Sequence, residues 1–307
     1  MLEWSVEEHT SKVLQYWTMS SFTSFGRTSS AVLCTIAPAA HLSYSVPSAQ
    51  RRVSEPSLMM KGLLHPLILL LMISSLASCR LVQDFLDPTN KGCPQFFVMD
   101  RPNIRHATPT ILQGQHYQRI CQEYKNKDWF ATLYDTQNKI PVYSAFLYIN
   151  DSAHQAKWRT EPELGVDKQA NDQDYAGNSK ISLYPALNEA AFTLTNAAPQ
   201  GNFKLHVLQS FYQQIAQAIK NRCEVYQAYI VTGVVPSTRK INGKVAIPDH
   251  FWSAYCCKKK ANDSPRGAYI TPDSGEQLPI ALSVRDLGAQ LAKLYKVEKF
   301  QVFGDLC

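Results

Sequence analysis

The sequence predicts an α+β fold, with a central antiparallel sheet flanked by helices. Two β-branched and aromatic runs, WFATLYD (129–135) and PVYSAFLYI (141–149), are separated by the turn-like TQNKI and read as a hairpin. Between Phe203 and Arg222 the period turns helical, with Leu208, Phe211, Tyr212, Ile215 and Ile219 on one face. Strand-like runs lie on both flanks of that helix, with no internal repeat and no regular alternation of strand and helix. That pattern speaks for α+β rather than for βαβ units.

Taken in order, residues 1–58 are rich in Ser and Thr and lack periodicity. They are expected to be disordered or to lie upstream of the true start at Met59 or Met60. Met59-Met60-Lys61 then leads into GLLHPLILLLMISSLASC, a charged start, an apolar run and small residues, so 59–79 reads as a secretory signal peptide. His65 and Pro66 interrupt the run, which is shorter than the ~20 residues that span a bilayer. No second such run follows, so no membrane span is expected once the signal is removed. The remaining 80–307 form the expected domain. Residues 80–110 read as an irregular lead-in tied down by Cys93, and 150–180 as a polar surface excursion. FTLTN (192–196) reads as a short strand ended by APQG. Lys220 and Arg222 suit the C-terminal end of the 203–222 helix. VYQAYIVTGVVP (225–236) reads as a buried strand, and KVAIP and FWSAYCCK continue the sheet around an Asn/Gly turn. Arg285 to Val297, with Leu287, Leu291 and Leu294, reads as a closing helix.

The chain has 307 residues and a net charge of +6, with pI near 8.8. A mild basic excess suits a polyanion such as nucleic acid or an acidic glycan, and suits an ordinary basic secreted protein as well. The densest basic clusters, Lys258-Lys259-Lys260 and Lys220 with Arg222, read as solvated surface. Beyond the signal lie Cys93, Cys121, Cys223, Cys256, Cys257 and Cys307. An even number after an export signal implies three disulfides of open connectivity, with the adjacent Cys256 and Cys257 bound to different partners. No C-x-x-C pair is present, which argues against a structural zinc site. Asn150 and Asn262 head glycosylation sequons, the second weakened by Pro265.

Phosphate-binding glycine loops, H-E-x-x-H and G-x-S-x-G are all missing. His106, His116, His154, His206 and His250 are scattered and read as surface or core histidines. What remains is an ordered set: CPQFF (93–97), RICQ (119–122), FATLYDTQNKIPVYSAF (130–146), DQDY (172–175), LYP (183–185), FTLTNAAPQ (192–200) and AYIVTGVVP (228–236). This set resembles the DNA/RNA non-specific endonuclease family from about Cys93 to Cys307, which implies a ββα-metal fold.

The resemblance also implies a chemistry. The family uses a histidine in Asp-Arg-Gly-His, just before Leu-x-Pro, as general base on water. An asparagine near the start of the next helix holds one Mg²⁺. A glutamate two turns on orients metal-bound water, and arginine offsets phosphate charge. Counting back from Leu183-Tyr184-Pro185, those four motif positions hold Ser179, Lys180, Ile181 and Ser182. A serine hydroxyl does not accept a proton usefully near neutral pH. Lys180 keeps a charge without the bidentate fork of arginine. The metal asparagine falls at Leu205, or at Lys204 after a shift of one, and the glutamate near Gln213. No acidic residue occurs between Gln200 and Arg222. Asn202 is the nearest substitute metal ligand, and His206 the nearest displaced base. Asn196 and Gln200 match the family's Leu-Thr-Asn-x-x-Pro-Gln and read as a strand end and a cap into the helix. The expectation is a secreted family member that has lost catalysis and acts by binding nucleic acid, another polyanion or a protein. The alternatives are an active Mg²⁺-dependent endonuclease cutting DNA and RNA, and a chiefly structural protein.

Overall fold

The computed structural model describes residues 79–307 apart from 90, 101–104, 150–155, 185–188, 224–226, 259–263 and 274–275. Residues 1–58, the expected signal segment up to Ser78, and both sequon asparagines, Asn150 and Asn262, lie outside the described residues. The strands are β1 (Cys79–Val82), β2 (Val98–Asp100), β3 (Arg105–Ala107), β4 (Tyr117–Tyr124), β5 (Lys127–Asp135), β6 (Ile140–Leu147), β7 (Lys180–Ser182), β8 (Ala197–Pro199), β9 (Ala228–Ile241), β10 (Val245–Cys257), β11 (Arg266–Pro272) and β12 (Ile280–Leu282). Among the described residues the α-helices are α1 (Leu205–Arg222) and α2 (Val284–Leu294). Among the described residues, eight strands form one antiparallel sheet in the order β1-β4-β5-β6-β9-β10-β11-β12.

Alternate residues of the central strands point to opposite faces, and each face is covered. On one, Phe130, Phe146, Ile230, Val234, Phe251 and Tyr255 pack with Val207, Leu208, Phe211, Ile215 and Ile219 of α1. On the other, Leu133, Tyr143, Val231, Val235 and Trp252 pack with Phe85, Phe97, Leu287, Leu291, Phe300 and Phe303. The helical stripe read from the sequence is therefore the buried face of α1. Lys204, its N-cap, makes no side-chain cap bond. Burial stabilises each of those apolar side chains by about 1.5–3 kcal/mol, so packing rather than capping holds the helix.

The hairpin turns follow from backbone geometry. Lys125 and Asn126 have φ of 52° and 57°, and Asn242 and Gly243 have 49° and 68°. Two successive positive φ values are the type I′ pattern that matches strand twist. Gly233 in β9 has another cause: a Cβ there would sit 2.4 Å from the Trp252 ring and from the Val142 carbonyl.

Several elements differ from expectation. The lead-in carries β1, which adds a strand to the sheet, and the β2–β3 pair. FTLTN is not a strand: Leu194–Asn196 wind into a 3₁₀ turn and pairing begins at Ala197. The turn carries the Asn196 side chain, which is fully buried. The 156–180 stretch is more than surface, since it buries Glu161, Leu164, Gln169, Ala170, Asp174 and Tyr175. β4, β11 and β12 were not anticipated as strands.

Among the described residues three disulfides form: Cys93–Cys121, Cys223–Cys257 and Cys256–Cys307. Cys256 and Cys257 take different partners, as adjacency demands. Neighbours on a strand face opposite ways, so Cys257 ties β10 to the end of α1 while Cys256 ties it to the C-terminal segment on the other layer. No helix among the described residues is long and apolar enough to cross a membrane.

Candidate functional site

Ser182 ends β7 and lies opposite Ala197 of β8. The side chain of Asn196, at the end of the 3₁₀ turn, organises this corner and is wholly buried. Its Oδ1 accepts from Ser144 Oγ at 2.9 Å and from the Tyr184 amide at 2.9 Å. Its Nδ2 donates to Ser182 Oγ at 2.8 Å, to the Ala191 carbonyl at 3.0 Å and to the Tyr184 carbonyl at 3.4 Å. Ser144 spends its proton on Asn196, so Thr132 donates in the 2.9 Å bond between the two hydroxyls. Thr232 and Ser253 bond at 2.8 Å on the next strands. Register places Thr132, Ser144, Thr232 and Ser253 in one row across β5, β6, β9 and β10. The Asn196 corner thus rests on a buried band of hydroxyls in which each polar group finds a partner.

Ser182 is 4% exposed. Its Oγ donates to the Ala191 carbonyl at 3.0 Å while accepting from Asn196. Tyr212 of α1 donates to the Ser182 carbonyl at 3.2 Å, and burial raises the pKa of its phenol. Lys180, two residues earlier, pairs with Asp172 and stands over the rings of Tyr175 and Trp158 at 5.1 and 5.4 Å. Ser182 and Asn196 are therefore in direct contact, while the Lys180 side chain goes instead to Asp172, Tyr175 and Trp158.

The other candidates go elsewhere. Gln200 Nε2 donates to the Phe203 carbonyl at 2.7 Å, closing the turn into α1. Asn202 is exposed, and its backbone N–H donates to Asp273 Oδ1 at 2.9 Å. Arg239 holds the other oxygen of Asp273 at 2.6 Å. Leu205 is the first residue of α1, while His206 and Gln213 are exposed along it.

This donor set does not fit Mg²⁺. A hard cation takes carboxylate, amide or water oxygens. The positions in question offer an aliphatic chain at Leu205 and an ammonium at Lys204, leaving the single neutral amide of Gln213 and no carboxylate. Among the described residues no three His, Cys, Asp or Glu side chains gather to hold a metal. A cavity of about 500 Å³ exists on the α2 side, lined by Thr110, Tyr117, Tyr295, Lys296 and others, away from Ser182.

Sequence reasoning missed two contributors. Arg159 donates to the Glu189 carbonyl at 2.6 Å and lies 4.6 Å over the Tyr124 ring, whose hydroxyl donates to the Glu189 carboxylate. Burial lowers the pKa of this guanidinium, against the opposing charge of Glu161. Tyr212 was read only as core. The interleaving of rings and cations in YKNKDW (124–129) and KWR (157–159) was the available signal for the first.

The sheet with its covering helix and the β7–β8 corner define a class. The profile of the DNA/RNA non-specific endonuclease family matches residues 109–300, and the chain belongs to that family. Among curated proteins it is similar to the endonuclease domain-containing 1 protein of Homo sapiens, 30% identical over 198 residues, 54% of this chain and 38% of that protein. The Mus musculus protein of the same name is 31% identical over 224 residues, 61% of this chain and 43% of that protein. The chain thus spans less than half the length of either relative.

Proposed function

We propose that this protein is a secreted, disulfide-bonded member of the non-specific endonuclease family that has lost catalysis and acts by binding a polyanion, nucleic acid first among them. The supporting observation is the state of position 182. Where the family resemblance asks for a basic imidazole, a buried serine spends its one proton on Ala191 and receives another from Asn196. A hydroxyl so engaged has neither the basicity nor the access to activate water. The metal side supports the same reading, since Leu205 offers no oxygen where the resemblance implies an asparagine ligand, and Gln213 offers a neutral amide where it implies a carboxylate. Losing the base alone costs about 10²–10⁴ in rate. Membership of a nuclease family and the basic balance favour nucleic acid as ligand. The test is a plasmid and RNA degradation assay on the purified protein with Mg²⁺ or EDTA. No cleavage with any divalent metal is expected. Cleavage that EDTA abolishes overturns the reading, and directs the search for base and ligand to His206 and Asn202.

A further inference from the structure

Five contacts between a cation and an aromatic face occur among the described residues, and all four rings involved belong to, or pack against, the core on the α1 side of the sheet. Lys127 stands 4.3 Å over Trp129 and Lys125 4.9 Å over Tyr124, both at the β4–β5 hairpin tip. Arg159 covers Tyr124 at 4.6 Å. Beside Arg159 in sequence, Trp158 receives Lys180, which also covers Tyr175. The run ends at β7, beside Ser182. Trp129 and Trp158 are half-buried, each resting on the main core with part of its ring at the surface. The Lys125 side chain is 74% exposed, and Lys127 and Lys157 are exposed beside it. Glu189 and Asp172 interrupt the positive charge, each in contact with one of the lysines.

We infer that this band is a docking surface for single-stranded nucleic acid, on which unpaired bases stack against Trp129 and Trp158 while Lys125, Lys127 and Arg159 meet the phosphates. The inference rests on the binding reading above and names its ligand and its place. Single strands expose base faces that a duplex hides, and surfaces that hold them interleave rings with cations. The lysines now lying over the rings are the groups a ligand would recruit. Each base displaces an ammonium from an aromatic face, and the ammonium moves to a phosphate on a flexible four-carbon stem. The type I′ turn at Lys125-Asn126 holds Lys125, and Lys127 just beyond it, at the hairpin tip. Duplex DNA presents phosphates alone to such a surface and gains nothing from the rings.

The test is fluorescence anisotropy with a labelled oligothymidylate of about 16 nucleotides in EDTA, so that binding is read apart from cleavage. A blunt duplex of equal length and heparin are run alongside. Salt-dependent binding is expected, tighter for the single strand than for the duplex. Trp129→Ala is expected to weaken it about tenfold, the usual loss for one stacked base. Trp129 also packs on the core, so the exposed pair Lys125→Ala/Lys127→Ala supplies a second variant. It is expected to weaken binding and to flatten the salt slope by about 1.4, from two lost phosphate contacts. Lys293→Ala on α2 is expected to bind as the parent does. Equal or tighter duplex binding, heparin binding alone, no binding, or band variants indistinguishable from Lys293→Ala each overturn the inference. Cleavage in Mg²⁺ with band-dependent binding in EDTA would instead overturn the loss of catalysis and leave the band standing.

Discussion

Among the described residues five hydrogen bonds reach or leave the side chain of Asn196, which is fully buried. Asn196→Ala removes one buried partner each from Ser144, Ser182 and the Tyr184 amide, at about 1–3 kcal/mol for each bond left unmade. A loss of roughly 3 kcal/mol or more is expected in urea denaturation. Asn202→Ala, at an exposed side chain, should stay within about 0.5 kcal/mol of the parent. The serine at 182 has a counterpart prediction. A histidine placed there must enter a corner filled by Asn196, the Ala191 carbonyl and Tyr212. Ser182→His, alone or with Leu205→Asn, is expected to destabilise by about 1–3 kcal/mol and to cut neither plasmid nor RNA. Recovered cleavage in the double variant would show that the frame needs only those two groups. At this scale the sequence was informative about identity and poor about surroundings. Counting from Leu-Tyr-Pro reached Ser182 and Lys180. Nothing local could reveal that Tyr212, 30 residues on, would bond to the Ser182 backbone, or that Arg159 would cover Tyr124.

Elements with strong periodicity were legible: β5, β6 and both helices lie within about three residues of where the pattern put them, while β9 runs on to Ile241 and the two runs KVAIP and FWSAYCCK join into the one strand β10. Helix α1 shows why, because its apolar stripe is dense enough to decide the structure without a cap. Lys204 already has the extended backbone of an N-cap, φ −71° and ψ 143°, but lacks an accepting side chain. Lys204→Asp is therefore expected to raise stability by about 0.5–2 kcal/mol, read as a higher urea midpoint. The elements that escaped were weakly patterned. β4, YQRICQEY, mixes polar residues on both faces because one face meets the 156–180 segment and the other the lead-in. β12 is three residues at the sheet edge. FTLTN looked like a strand because its β-branched and aromatic residues suit one, and the demand for an inward amide at Asn196 won instead.

For the molecule as a whole, acid should act in two stages. Burial lowers the pKa of His250 from the ordinary 6.5, against the pull of Asp249. The unfolded chain therefore takes up that proton first, and stability present above about pH 6.5 begins to fall below it. Asp174 follows. Burial raises the pKa of its carboxyl, but Lys244 at 2.8 Å and the Asn171 amide outweigh burial and lower it below 3.8. Its contribution is complete above that value and is lost as pH falls through the lower folded pKa. A plot of Tm against pH should show both losses, with His250→Gln removing the first and Asp174→Asn the second.

The neighbouring cysteines of β10 have a practical use. A slip of one residue along that strand would exchange the directions in which Cys256 and Cys257 point, and with them their partners. Native pairing, 256 with 307 and 223 with 257, is thus a covalent record of strand alignment. Peptide mapping under non-reducing conditions becomes an assay of correct assembly for any recombinant batch or variant, with the swapped pairs as the signature of a misaligned sheet.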